Sequence, residues 1–383
     1  MGNRRPIPYG RQYIDEDDIQ AVVDVLRGDW LTQGPEVDAF EESVAAACGA
    51  RWGVAFSSGT TALHAACTLL DLEPGDEVIT SPITFAATAH AAHHCGGRPV
   101  FADVEDDTIN LSPEACERAI TPRTKALLPV HFAGHPCDMD ALGELARRAG
   151  VRVIADAAHA LGARHRGARV GELCELSVLS FHPVKHITTG EGGMVLGHDP
   201  RDRERLRRFR HHNIVRRESE GPWFHEIEAP GFNGRITDFQ CALGRSQLAK
   251  LDRFVARRRE LAAHYEAQLG GSDLVSAPRE REGMASSVHL YVVRLALERL
   301  AVTRRQVFEA LRNAGIGCQV HYIPVHLQPC YREPLGTGPG DCPVAERYYE
   351  ECITLPLFYG LEDEEVAYVA QTLLAILEAG RLR

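Results

Sequence analysis

The chain has 383 residues, 44% of them apolar, more than a single core normally sustains, so two packed domains are expected. Its 53 acidic residues outweigh 42 basic ones, and the formal net charge of −11 argues against nucleic acid as a partner. No stretch reaches the roughly 18 to 20 uninterrupted apolar residues that span a bilayer, and no apolar run follows the basic Met1-Gly-Asn-Arg-Arg-Pro-Ile-Pro-Tyr9 as it would in a secretory leader.

Eleven cysteines are scattered without any Cys-x-x-Cys, which fits a reducing compartment and thiols used as small core residues. A soluble cytoplasmic protein with no membrane partner is the expectation.

From about Val54 to Leu196, short apolar runs alternate with helical ones. Residues 53–56, 77–80, 98–102, 126–130, 151–155, 177–180 and 193–196 read as strands, and their continuous apolar character suits a sheet buried on both faces. Helical stretches at 61–70, 86–94 and 139–149 lie between them, which predicts an α/β domain with a largely parallel sheet. The arginine runs at 201–210 and 257–259 alternate with acids or fall at helical spacing and read as solvated helix faces.

A loop and helix fill 231–251, and a long charged helix follows at 252–269, so a boundary is placed near residue 250. That gives a large domain, 1–250, and a small one, 251–383. The small domain reads as α+β, with strands at 289–295 and 317–322 and helices at 304–314 and 363–377.

Only three lysines occur, Lys125, Lys185 and Lys250. Lys185 lies in Ser180-Phe-His-Pro-Val-Lys-His-Ile-Thr-Thr-Gly-Glu-Gly-Gly193, just past a strand, among small residues that let a ligand approach the backbone. Strand 53–56 runs into Ser57-Ser-Gly-Thr-Thr-Ala-Leu63. This turn reads either as a plain Ser/Thr helix cap or as an anion site made of free N–H groups at a helix start. It lacks the glycine spacing and lysine of a nucleotide-triphosphate loop.

Strand 151–155 delivers Asp156 at its carboxyl end, followed by Ala-Ala-His159, where ligands gather in open α/β sheets. An amine for a Schiff base, an acid to hold a pyridine nitrogen protonated and an anion cradle together describe a pyridoxal phosphate site. His90, His93 and His94 share a helix without an acid or cysteine to complete a metal set, so no metal is expected.

These motifs resemble the DegT/StrS sugar aminotransferases of the aspartate aminotransferase fold type (fold type I). The resemblance runs from Tyr9-Gly-Arg-Gln and Leu31-Thr-Gln-Gly34, through Ser-Ser-Gly-Thr-Thr-Ala-Leu, Asp156-Ala-Ala-His-Ala-Leu-Gly and Gly231-Phe-Asn-Gly-Arg-Ile-Thr-Asp, to His321-Tyr-Ile-Pro-Val-His-Leu-Gln-Pro329. Within the family, Pro129-Val-His-Phe-Ala-Gly134, His182 to Gly193 and Ala345-Glu-Arg-Tyr-Tyr349 are most similar to transaminases that act on a UDP-linked 4-keto-6-deoxy-N-acetylhexosamine in pseudaminic acid biosynthesis.

The resemblance implies pyridoxal 5'-phosphate as cofactor, with Lys185 as the Schiff-base lysine and Asp156 as partner of the pyridine nitrogen. It places His159 at the phenolic oxygen and Phe85 on the ring face, with Thr60, Ser180 and the Gly59 backbone on the phosphate. Asn233 would reach the phosphate of a neighbouring subunit, implying a homodimer with shared sites. Gln33, Glu191 and His321 would meet a nucleotide-sugar, and glutamate would supply the amino group. Two positions depart from the family pattern: His212-Asn213 stands for His-Gly, and Gly234 replaces an aromatic residue.

Overall fold

A computed structural model describes residues 5–382, so Met1–Arg4, part of the segment read for a leader, lie outside the described residues. Two helices open the fold, α1 (Glu16–Arg27) and α2 (Pro35–Cys48). Asp15 and Asp18 form a capping box at the start of α1, and Pro35 occupies the first turn of α2, where a missing N–H costs nothing.

The central sheet holds seven strands: β1 (Trp52–Phe56), β2 (Glu77–Thr80), β3 (Arg98–Phe101), β4 (Thr124–Leu128), β5 (Arg152–Asp156), β6 (Leu176–Ser180) and β7 (Gly193–Gly197). They are ordered β1-β7-β6-β5-β4-β2-β3, and only β7 runs antiparallel to its neighbours. All seven expected strands are present, and β1, β2 and β7 are buried along their whole length. Helices α3 (Gly59–Thr68), α4 (Ala87–His94) and α5 (Met139–Ala149) cover the faces, with α6 (Pro200–Arg210) packed near β1.

Pairing explains one glycine. Gly193, first residue of β7, lies opposite Phe56 on one side and Ser180 on the other, between the carboxyl ends of β1 and β6. A Cβ there would stand 2.5 Å from the Ser58 carbonyl oxygen and 2.6 Å from the Gly59 nitrogen. Only glycine lets β7 start beneath the turn that opens α3.

A hairpin, β8 (Ile214–Arg216) and β9 (His225–Ile227), follows α6 and was not foreseen from sequence; nor were α1 and α2. Helix α7 (Asp238–Leu248) then leads into α8 (Leu251–Leu269). Beyond it lies a three-stranded antiparallel sheet of β10 (Val275–Ser276), β11 (Tyr291–Leu295) and β12 (Cys352–Leu355), covered by α9 (Arg304–Asn313) and α11 (Asp363–Ala379), while α10 (Pro343–Glu351) leads into β12. One apolar cluster joins Leu261, Tyr265, Val293, Leu311, Ile353 and Leu373, and Ile7 enters it from the amino-terminal segment.

The strand expected at 317–322 is absent. In that segment only Gln319 pairs with a strand, in a single-residue bridge to Thr354 of β12, while Ile316 just before it bridges Ile7 and the Gly317 N–H donates to the Ile7 carbonyl. Gly317 passes so close to the amino-terminal segment that a Cβ would sit 2.7 Å from the Tyr9 nitrogen.

The arginine runs are not wholly solvated either. Arg210 keeps 11% of its side chain exposed and pairs with Glu41 at 1%, and Arg258 is 3% exposed. Periodicity alone does not reveal buried charge when the partner lies elsewhere in the chain. Among the described residues, no helix is long and apolar enough to cross a membrane.

Adding one methyl at Gly193 forces β7 away from the α3 turn. Gly193→Ala is expected to lower stability by about 1–3 kcal/mol, measured as an earlier urea midpoint with an unchanged slope.

Candidate active site

A cavity of about 470 Å³ opens at the carboxyl ends of β1, β5 and β6. Nine of the residues expected from sequence line it: Gly59, Thr60, Phe85, Asp156, His159, Ser180, Lys185, Glu191 and His321. A wider cleft of about 760 Å³ beside α1, α2 and α7 brings together no comparable set of an amine, a buried acid and a helix start.

The turn after β1 is fixed first. Ser58 caps α3, its Oγ accepting from the Thr61 N–H at 3.1 Å. The cap leaves the N–H groups of Gly59 and Thr60, which have no acceptor within the helix, at the cavity wall beside the positive end of the helix dipole. A Cβ on Gly59 would lie 3.0 Å from the Ser180 Cβ, so the two chain segments converge on one spot.

Asp156 ends β5 with 5% of its surface exposed. One carboxylate oxygen accepts from the Thr88 hydroxyl at 2.7 Å and the other from the Ala158 N–H at 3.1 Å. Burial pushes its pKa up, and these two donors with the Lys185 amine hold it back. Such a carboxyl is poised for a cationic partner.

Lys185 follows β6 in a closed loop. Its N–H donates to the His182 carbonyl at 2.9 Å, and the Phe181 carbonyl accepts from the Thr189 N–H at 3.1 Å and the Thr188 hydroxyl at 3.0 Å. The side chain is partly accessible from the cavity and otherwise enclosed. Burial lowers its pKa to about 8; Asp156 opposes the change and the Arg258 guanidinium adds to it. An appreciable share of this amine is therefore uncharged at neutral pH, as a nucleophile or base requires.

His159 lies between Phe132, Tyr322 and His289, with 4.4 Å between its ring centre and that of His289. The Tyr322 hydroxyl is 3.4 Å from its Nε2, and its buried Nδ1 has no partner. Burial holds His159, His186 and His289 well below the usual imidazole range, and brings His321 down to about 4. His321 bonds the Thr354 hydroxyl at 2.8 Å. Phe85 leaves 64% of its surface uncovered at the cavity, an apolar face without a partner in this chain.

Gln33 and Asn233 line no part of the cavity and are both exposed. Asn233 precedes Gly234, whose carbonyl accepts from the Ser57 N–H at 2.9 Å, so its loop is moored to the cradle while its side chain is free. The two departures from the family pattern differ in weight. His212 and Asn213 both have left-handed backbone, with φ of 57° and 54°, and asparagine tolerates the conformation that glycine would supply. At Gly234 a Cβ would meet the Thr61 methyl at 3.0 Å and the Phe56 ring at 3.3 Å, so a larger residue must displace one of them.

Several groups escaped the sequence reading: Thr88, Tyr322, His289, Thr354 and Arg258. Thr88 could have been found, since it lies three residues beyond Phe85 at the start of α4, one helical turn along the same face. Tyr322 lies inside the His321–Pro329 motif beside His321 and could have been singled out with it; His289, Thr354 and Arg258 carry no local motif.

The family model for DegT/DnrJ/EryC1/StrS aminotransferases matches residues 12–374. The chain belongs to that family. It is 38% identical over 378 residues to the spore coat polysaccharide biosynthesis protein SpsC of Bacillus subtilis, covering 97% of each chain. Among solved structures it is similar to Helicobacter pylori PseC, an aminotransferase involved in the biosynthesis of pseudoaminic acid, with a TM-score of 0.93, 31% identity, and coverage of 98% of this chain and 100% of that one. The putative sugar aminotransferase Spr1654 of Streptococcus pneumoniae, in its PMP form, superposes with a TM-score of 0.93 at 30% identity, covering 97% of this chain and 99% of that one, and is known in a PLP form as well.

The chain is thus an aminotransferase of fold type I that uses pyridoxal 5'-phosphate. The residues present fit that group: a helix start with free N–H groups, a buried acid in no ion pair among the described residues, a low-pKa amine and an unpartnered imidazole nitrogen surround one cavity.

Because the folded-state pKa of Lys185 lies below the ordinary value of 10.5, the folded protein bears a penalty that is complete below about pH 8 and disappears as pH rises to 10.5. In cofactor-free protein, Lys185→Met is expected to gain roughly 2–3 kcal/mol at pH 7. The gain should vanish toward pH 10.5, as read from denaturation midpoints across that range.

Proposed function

We propose that this protein transfers an amino group from glutamate to the 4-keto carbon of a nucleotide-linked 4-keto-6-deoxy sugar, with UDP as the nucleotide. The convergence of Lys185, Asp156 and the α3 turn on one cavity carries the aminotransferase part of this reading. Similarity to PseC supports the sugar, and the likeness to SpsC is consistent with a saccharide product.

Bound pyridoxal phosphate supplies an aldehyde for Schiff-base exchange and an electron sink for the bond beside the nitrogen. The chain's own residues do the rest. The Gly59 backbone with the Thr60 and Ser180 hydroxyls holds the phosphate, where the α3 dipole favours negative charge. Phe85 would cover one ring face, His159 would donate to the phenolic oxygen, and Asp156 would keep the ring nitrogen protonated. A protonated ring nitrogen beside Asp156 would give its carboxylate a counter-charge and so would oppose the effect of burial on its pKa.

Lys185 has two tasks. Its amine would hold the cofactor through a Schiff base and, once free, would serve as the base that moves the proton at the reacting carbon. A pKa near about 8 suits both directions of proton transfer at neutral pH. His321 and Glu191 at the cavity, with Gln33 farther out, orient the nucleotide-sugar.

Asn233 completes the phosphate site of a second copy, so two copies share their sites. Its exposed side chain on a loop moored at Ser57 supports this assignment. The same reading divides the chain at residue 250: the cluster built on Tyr265 and Val293 draws nearly all its members from beyond that point, while Leu251, Phe254 and Val255 at the start of α8 pack with the large domain. A cytoplasmic setting matches nucleotide-sugar substrates and eleven free cysteines.

Incubation with glutamate and a panel of UDP- and dTDP-4-keto sugars should yield an amino sugar and 2-oxoglutarate only with the UDP sugar. Preference for a dTDP sugar or a keto-cyclitol would replace the substrate assignment and leave the chemistry intact. Lys185→Ala should abolish the visible cofactor band and lower kcat by about 10²–10⁴-fold or more. Shared sites predict complementation: Lys185→Ala and Asn233→Ala proteins, each poorly active, should recover activity when mixed and reassociated, because one intact site forms in each mixed pair.

A further inference from the structure

Arg258 is a charged residue buried without an opposite charge. Its neighbours on α8 behave ordinarily: Arg257 pairs with Asp363, and Arg259 donates to the Ser286 carbonyl at 2.7 Å. Arg258, 3% exposed, enters no ion pair among the described residues. Its guanidinium donates to carbonyls alone, His289 and Leu357 at 3.2 Å and, more weakly, Val288 and Val184 at 3.5 Å.

Those four carbonyls are informative. Val184 immediately precedes Lys185, and the His289 ring lies tilted against that of His159 while its centre is 5.5 Å from that of His186. Leu357 follows β12. One side chain therefore ties the lysine loop, the buried histidine cluster and the carboxyl-terminal sheet together. Behind Lys185, away from the cofactor cavity, lies a void of about 10 Å³ lined by Lys185, His186, Gln247, Tyr13 and Arg258 among others. It has room for one water at most, too little to solvate an ammonium ion.

We infer that Arg258 is a positioning residue for Lys185: its guanidinium fixes the loop that carries the lysine and places an uncompensated positive charge behind the amine. The inference rests on Lys185 being the residue that captures the cofactor. The titratable groups that line the cavity with that amine are Asp156, Glu191, His159, His182, His289, His321, Tyr9 and Tyr322, and His186 lines the void behind it. Burial keeps His159, His186, His289 and His321 neutral, raises the tyrosines and is the main cause of the lowered Lys185 pKa; Asp156 opposes that change and Arg258 adds to it. Arg258 retains its proton even though burial brings it down to about 10, because it still lies above Lys185.

The test is the pH dependence of pyridoxal phosphate capture by full-length, cofactor-free protein, followed through the visible band, with Lys185→Ala as control. The wild-type midpoint is expected near about 8. Arg258→Gln and Arg258→Met should each move it up by about one unit, slowing capture about tenfold at pH 7. Competitive acetylation of the three lysines, read by mass spectrometry without cofactor, should show the same shift at Lys185 and none at Lys125.

A wild-type midpoint in a folded neutral variant would overturn the inference, even if that variant were less stable. Should neither fold, Arg258→Lys decides. It keeps the charge but loses the fork, so an unchanged midpoint with slower capture at high pH supports positioning, and wild-type behaviour in both overturns it. Absence of any band in wild-type protein would instead refute the assignment of Lys185.

Discussion

The site depends on what happens to an amine withdrawn from water. An ammonium ion in such a place needs either a counter-charge or a reason to shed its proton, and around Lys185 both are arranged at once. Asp156 offers a partial counter-charge, itself weakened by burial, while burial of the amine and, in smaller part, Arg258 press toward the neutral form. The balance leaves a lysine able to attack a carbonyl and also to carry a proton. It has to be held by the fold, since every group in it bears an energetic penalty when left unpaired.

The sheet supplies that hold. Asp156 and the turn before Lys185 leave adjacent parallel strands, and the α3 turn leaves a third strand across β7. Second contacts then fix each side chain: Thr88 on Asp156, Tyr322 on His159, Thr354 on His321. Two of these three supports come from the carboxyl-terminal part of the chain, so the cavity is finished only when that part packs over the sheet.

How much of this can be read from sequence follows the range of the interactions. The seven strands are legible because each is a short apolar run whose burial does not depend on identifying its neighbour. Lys185, Asp156 and the Ser57–Leu63 turn are legible because each stands at or just past the carboxyl end of a strand, where a polar or charged residue breaks the apolar run. The strand expected at 317–322 fails because only Gln319 reaches residues 352–355, in a one-residue bridge, while Gly317 is held against the amino-terminal segment instead. Arg258 is misread because charge on a helix suggests solvent, and the carbonyls that accept from it lie in three distant segments. The sequence contains the residues in such cases but not the contacts.

The strand order has a further consequence for how such a scaffold can diversify. From β1, which ends at the anion cradle, to β5, which ends at Asp156, there are three strand spacings, roughly 14 Å, set by backbone hydrogen bonding. No side-chain substitution can stretch that interval. The depth and tilt of the cofactor are therefore inherited with the sheet, whereas the segments around Gln33, Asn233 and the 214–227 hairpin hang from its periphery and belong to no strand of it. A lineage built on this frame can exchange its acceptor by rewriting peripheral loops while the reactive geometry stays where the sheet put it.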